Sequence, residues 1–369
     1  MRKFFFICLT VLMPYTANAK QFNYDFSVLA HSLYGYSDYS DNSSHKYKHH
    51  HTPSVLEISS GISHDIGEGN IRLGADFQIS GGRELEDYNQ GKWGENIYIS
   101  YNSFLGELSV GQIYNAAYQL AVGAPSVGIF RVNNSLITDF IANPNWQRNN
   151  RFSSFRTANS TYLNTDADSF KFSYTTPDFY NSKFAISFAP DSYSQAGLIN
   201  KESRYNNKYS LAMGLYNYTQ FKNVEFESSL GYAYNHKNNQ EISAGLSIYY
   251  KGWTLGGSYR KNFTTSNDYD LNIRENNLPY YFDGYRKSQA FNVGLSYEFG
   301  PLTTGISYFA SYADGADNKD EIISLANRLA FHKNIAVYLT AAYARYVGSD
   351  EYSDNNKGVA FITGLELSF

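Results

Sequence analysis

From Asn23 to Phe369 the chain repeats one pattern, in which large apolar side chains take every second position and Gly, Ser, Asn or a single charge takes the positions between. A period of two is the side-chain period of a β-strand. Ile71 to Ser80 shows it most clearly: Ile71, Leu73, Ala75, Phe77 and Ile79 share one face, and Arg72, Gly74, Asp76 and Gln78 the other. A β-sandwich or a small filled barrel closes over an apolar interior. Here the face that would close inward is polar. The apolar face must therefore point outward, into a solvent that is itself apolar, and the expected fold is all-β: a transmembrane antiparallel β-barrel with a wet interior.

The connections support the same architecture. Short turns at Gly67 to Asn70, Leu105-Gly106, Pro177-Asp178, Lys251-Gly252, Gly300-Pro301 and His332 to Asn334 alternate with long polar segments, the longest in the second half being Asn262 to Lys287. Hairpins of this asymmetry place all tight turns at one rim and all long loops at the other. Counting from Asn23–Tyr36 to Lys357–Phe369 gives about 16 strands, and an even number is what a single-chain barrel with both ends at one rim needs. Tyr34, Tyr36, Tyr232, Tyr234 and Tyr259 lie near strand ends, where interfacial aromatic girdles belong.

Composition narrows the class. The chain opens Met1-Arg2-Lys3, continues as an apolar run from Phe4 to Met13 and reaches Ala17-Asn18-Ala19, the three parts of a secretory signal peptide expected over residues 1–19. The sole cysteine, Cys8, falls inside that run, so residues 20–369 are expected to form a single barrel domain with no disulfide. Removing Arg2 and Lys3 leaves 28 basic against 34 acidic residues, a net charge of −6, with no long block of either sign. Nucleic acid is excluded as a natural partner on that basis. Mean hydropathy is −0.44, and beyond the leader no apolar run is long enough for a membrane helix.

One stretch breaks the count in twos, Tyr114 to Arg156. Within it Asn134 to Asn143 changes period, and the sequence predicts a short helix capped by Asn134 and ended before Pro144. On that helix Leu136, Ile137, Phe140 and Ile141 share an apolar face, while Thr138 and Asp139 point away from it. An insert of this kind in a wet barrel would decide what passes.

The last strand, Gly358 to Phe369, sets Val359, Phe361, Leu365, Leu367 and the terminal Phe369 on one face. That ending resembles the signature of Gram-negative outer-membrane barrels, and the whole chain after the leader resembles the general diffusion porins. The resemblance rests on the leader, the strand number, the turn asymmetry and a long insert after the fifth strand. It implies that residues 114–156 fold into the lumen as a constriction loop and that the protein is a homotrimer in the outer membrane of a Gram-negative bacterium. Outer-membrane lipid, lipopolysaccharide and small hydrophilic solutes and ions are then its partners, with no cofactor. By the same resemblance the loop Gly81 to Trp93 either reaches a neighbouring subunit or is plain surface. In the family, acidic residues of the insert face a basic wall. Here the insert carries Asp139 beside Arg131, Arg148, Arg151 and Arg156, a departure that leaves the ion preference open.

Candidate constriction residues are Asp139 and Thr138, projecting from the helix, with Arg131 on the insert and Arg72, Arg328 and Lys171 on inner strand faces; Arg260 shares that parity. A charge facing lipid at mid-membrane costs about 2–4 kcal/mol, which forces these side chains inward. Inward is not the same as narrowest; Asp139 is the leading lumen-facing residue, and the alternative for it is a solvated acid of an ordinary surface loop. His45 and His49 to His51 have the composition of a metal-binding tract, but consecutive histidines in a loop more often bind nothing. Other functions also stay open. A substrate-selective channel would show an aromatic track, for which Tyr98, Tyr216 and Tyr249 are inward-facing residues without an obvious track. A barrel enzyme would have fewer strands and a catalytic group that His31, His64, His236 and His332, scattered as they are, do not suggest. A secreted two-sheet binding protein would need the apolar inner face that is missing.

Overall fold

The structure is a computed structural model. It describes residues 22–39, 50–52, 54–81, 96–128, 169–190, 209–235, 239–263, 288–313, 318–347 and 355–369, with single positions between 132 and 166. Residues 1–21, where the signal peptide is expected, most of the long loops, and Arg131, Asn134, Leu136, Thr138, Asp139, Arg148, Arg151 and Arg156 lie outside the described residues.

The strands are β1 (Phe22–Tyr39), β2 (Ser54–Ile66), β3 (Gly69–Gly81), β4 (Asn96–Ser103), β5 (Gly106–Gln112), β6 (Phe170–Thr175), β7 (Ser182–Ala189), β8 (Ser210–Phe221), β9 (Val224–Asn235), β10 (Asn239–Tyr250), β11 (Trp253–Asn262), β12 (Ser288–Phe299), β13 (Leu302–Ala313), β14 (Lys319–His332), β15 (Ile335–Val347) and β16 (Asn356–Ser368). A two-residue piece, His50–His51, pairs with Gly35 and Tyr36 just ahead of β2. Each strand pairs antiparallel with its neighbour in sequence, and β16 pairs with β1 from Leu29↔Ser368 to Tyr39↔Gly358. The sheet is thus a closed barrel of sixteen strands. Closure satisfies every edge, the condition for placing a sheet in lipid. At the seam the backbone groups of Val28 and Phe369 bond to each other twice, at 2.9 Å each.

Tight turns arise where the sequence allows left-handed backbone. Lys251 (φ 48°) and Gly252 (φ 84°) form the two-residue connection of β10 and β11, a turn whose twist matches that of the strands. The two-residue connections all lie at the rim that holds the start of β1 and the end of β16.

The outward face is the apolar one. Phe26, Leu73, Leu230, Leu339 and Phe361 are among many large apolar side chains left more than half exposed, an arrangement that water would not tolerate and lipid stabilises. Lysines join this face only at its edges: Lys222, Lys251, Lys261 and Lys319 stand 5.5, 5.2, 5.5 and 5.3 Å from the ring centroids of Phe221, Tyr250, Phe263 and Tyr312. Long cationic side chains over rings at a membrane boundary keep the ammonium in the headgroup layer.

The inward face is less uniformly polar than its alternation implies. Leu33, Phe309, Ile322, Tyr346 and Ile362, inner residues of β1 and β13 to β16, are buried in one apolar cluster. The other half of that cluster comes from the chain between β5 and β6.

Candidate pore site

The insert begins with a single helical turn, α1 (Ala116–Gln119). Asn115 caps it, accepting from the Tyr118 amide at 2.9 Å, while its own Nδ2 donates to the Leu163 carbonyl at 2.9 Å and to Asp166 Oδ1 at 3.0 Å. The first and last parts of the insert are therefore pinned together at a buried asparagine. Lys171 at the start of β6 completes the neck, with Nζ 2.9 Å from the Ser169 carbonyl and 3.5 Å from Asp166 Oδ1. Lys171 and Asp166 are almost fully buried. Burial pushes the Asp166 carboxyl above the usual carboxylate range, against the opposing pull of Lys171.

From α1 the chain crosses the polar face of one strand after another. The Ala116 amide donates to Ser187 Oγ of β7 at 2.9 Å, and the Val122 amide to Ser229 Oγ of β9 at 2.8 Å. Ser247 Oγ of β10 donates to the Gly123 carbonyl at 2.7 Å, and Ser307 Oγ of β13 to the Pro125 carbonyl at 3.2 Å. Serine hydroxyls thus satisfy backbone groups that have no sheet partner.

Between those serines run inner-face glycines, and they set how close the insert comes. A Cβ on Gly214 would lie 2.5 Å from the Ala116 carbonyl oxygen, one on Gly256 2.6 Å from that of Gly123, and one on Gly245 would collide with that of Val122. Gly305 meets Val127 and Gly294 meets Ala124 in the same way. Their lack of a side chain is what lets the insert lie flush on β8 to β13.

Further on the insert holds by apolar contact. The amides of Phe140 and Ile141 both donate to the Ile137 carbonyl at 2.9 Å, so a helical turn is present where the sequence predicts one. Ile137, Phe140 and Ile141 are at most 1 % exposed and pack with Leu33, Phe309, Ile322, Tyr346 and Ile362. At about 1.5–3 kcal/mol per buried side chain, these three contribute much of the insert's hold on the wall. Phe140 rests on Gly35 of β1, where any Cβ would strike its ring. Asn143 adds a bond of 3.0 Å to Asp320 of β14.

The return segment is fixed by a buried ion pair. Arg260 of β11 donates to Glu241 Oε2 of β10 at 2.6 Å and to the carbonyls of Ser160 and Tyr162 at 3.1 and 3.2 Å, and Asn262 occupies the other carboxylate oxygen at 2.9 Å. Thr161 Oγ1 lies 2.5 Å from Ser258 Oγ.

Of the wall residues singled out from the sequence, Arg72 and Arg328 face inward, each with a partner: Arg72 with Asp25 at 2.6 Å and Arg328 with Glu366 at 2.8 Å. Both stand near the tight-turn rim. Lys171 faces inward by parity but is sealed in the insert's neck and meets no open lumen. The structure does not bring Arg72, Arg328 and Lys171 together, and Asp139, Thr138 and Arg131 lie outside the described residues. Two of the three inward tyrosines do converge. Tyr216 and Tyr249 donate to the two oxygens of Glu227 at 2.9 and 2.7 Å, while Tyr98 stands apart beside Gly74.

A profile of Gram-negative porins matches residues 9–349, nearly the whole chain. The chain belongs to the Gram-negative porin family. Solved structures agree on the fold. An anion-selective porin from Comamonas acidovorans superposes with a TM-score of 0.60 at 13 % identity, over 95 % of this chain and all of the other. OmpF of Salmonella typhi, in a complex with daunomycin, gives 0.60 at 15 % identity, over 94 % and 97 %. The trimer form of OmpT, an outer membrane protein of Vibrio cholerae, gives 0.56 at 10 % identity, over 95 % and 100 %. No curated protein sequence matches the chain. This porin is accordingly a channel of the Gram-negative outer membrane that works by passive diffusion.

Proposed function

We propose that this porin is a non-enzymatic, water-filled pore for small hydrophilic solutes and ions, narrowed by the insert of residues 114–156 and assembled as a homotrimer. The observation that carries the reading is the path of the insert. Its backbone bonds to inner-face serines of β7, β9, β10 and β13, and its apolar turn packs on β1 and β13 to β16. A segment bonded to inner-face residues on opposite parts of a closed sheet narrows the bore it crosses. Solute passage then depends on what the insert leaves open and on the charges lining that opening. The trimer is supported by the trimer form of the Vibrio cholerae relative, and the outward apolar face supplies the surface that subunits and lipid would share.

Reconstitution in planar bilayers tests this. Ohmic current steps grouped in threes are expected, and a variant lacking residues 129–157 should give larger steps. Folded, heat-modifiable protein that gives no steps would overturn the channel, and unchanged step size in the deletion variant would overturn the insert's role.

A further inference from the structure

Resting on the channel reading, we infer that this pore prefers cations, and that Glu57, Asp76 and Glu107 on the stretch of wall from β2 to β5 set the preference. Among the described residues, the bonds and close approaches of the insert named above fall on β6 to β16 or on β1. The inner faces of β2 to β5 are left as the side along which solutes pass.

That side is acidic. Its inward charges are Glu57 and Asp65 on β2, Arg72 and Asp76 on β3 and Glu107 on β5, with Asp25 of β1 opposite Gly61. Arg72 and Asp25 neutralise each other at 2.6 Å. The other four carboxylates have neutral partners: Gln78 Nε2 donates to Glu57 at 3.2 Å, Asn70 Nδ2 to Asp65 at 2.7 Å, Asn96 Nδ2 to Asp76 at 3.3 Å and Ser109 Oγ to Glu107 at 3.0 Å. Amides and a hydroxyl orient a carboxylate without cancelling its charge. Four net negative charges therefore line this side among the described residues.

Among the described residues, positive charge on the rest of the wall is spent elsewhere. Lys171 and Arg260 are buried with Asp166 and Glu241, Arg328 and Lys183 are paired with Glu366 and Asp178, and Lys222, Lys251, Lys261 and Lys319 lie on the outer face over aromatic rings. Farther along the inner face Glu227 carries only tyrosine hydroxyls. The carboxylates form no binding pocket. They act as a field in a water-filled bore with low-dielectric walls, raising the local concentration of cations and depleting anions. The permeants favoured are small inorganic cations and hydrophilic solutes that carry an ammonium group.

The test is the zero-current potential of the full-length porin in planar bilayers under a potassium chloride gradient. A potential of the sign set by potassium is expected, growing at lower ionic strength as screening weakens. The triple variant E57Q/D76N/E107Q, checked for heat-modifiable mobility, should shift it toward the chloride value, while E68Q, at the Gly67–Gly69 turn, leaves it in place. A wild-type potential of chloride sign would overturn the inference and leave the channel standing, as would a triple variant whose potential matches the wild type. Should the triple variant fail to fold, the wild-type sign and E107Q alone decide on the same terms. A wild type that gives no current steps would overturn the channel reading and the inference with it.

Discussion

Arg260 Nη2 lies 2.6 Å from Glu241 Oε2, in a pair about 95 % buried or more on both sides. The pair does not join the barrel to itself alone, because Nη1 of the same guanidinium holds the carbonyls of Ser160 and Tyr162. Removing one partner of a buried pair leaves a charge without compensation and costs about 3–5 kcal/mol, whereas removing both is much cheaper. Glu241→Gln should therefore lower the unfolding midpoint in urea far more than the double change Glu241→Gln with Arg260→Met. The double variant should give noisier current, since without Arg260 the return segment loses its anchor. Equal midpoints for single and double variants would contradict this.

Acid should act on the neck of the insert with an unusual sign. Burial holds the Asp166 carboxyl above the ordinary carboxylate range, so between the ordinary and the raised pKa the folded porin binds this proton more tightly than the unfolded chain does. Stability from this group then rises as pH falls through that window, opposite to an ordinary salt-bridged carboxylate. The stability of the wild type minus that of Asp166→Asn should accordingly increase on acidification, as read from urea unfolding in detergent at a series of pH values. A difference that shrinks as pH falls would assign Asp166 a depressed pKa instead.

Gly35 and Phe140 are matched in size. Because any Cβ at position 35 would strike the Phe140 ring, Gly35→Ala should displace the helical turn and change single-channel conductance, and Phe140→Ala should cost about 3–5 kcal/mol by emptying its site. Combining the two should restore part of the loss in conductance or stability. Strictly additive effects would show that the residues do not meet.

Asp25 and Arg72 form the opposite kind of pair. Their side chains are 49 % and 40 % exposed, and exposed ion pairs contribute about 0–1 kcal/mol. Asp25→Asn should leave the unfolding midpoint nearly unchanged while moving the zero-current potential toward anion passage, because Arg72 becomes a free cation on the open wall. A large loss of stability would show the pair to be structural.

The barrel was legible in the sequence because alternation is a local signal that survives any register: Arg72, Glu107, Glu227 and Arg328 all face inward as their parity requires. The strand number and the position of the insert followed from turn residues such as Lys251 and Gly252. What was not legible is long-range. Asn115 looks like any loop asparagine until Leu163 and Asp166 come back to it, 48 and 51 residues later. Lys171 and Arg72 share a parity, yet one is sealed beneath the insert and the other stands open, a difference of depth that periodicity does not encode. The inner glycines were visible as a polar-face pattern, but only the carbonyls of Ala116, Val122 and Gly123 reveal why a side chain is excluded there.

The serine and asparagine bonds from the insert to β7, β9, β10, β13 and β14 have a mechanical consequence. A closed sheet without internal ties is a hoop, which lateral pressure in a bilayer can flatten into an ellipse at little cost, because neighbouring strands need only flex at their shared bonds. Here the insert is a tie rod fastened to strands as far apart in the sheet as β7 and β14, so flattening must stretch it or pull its anchors free. If the insert also narrows the bore as proposed, the stiffness of the cross-section and the size of the opening are joined in one element, and a change in membrane tension that reaches the wall would reach the aperture as well.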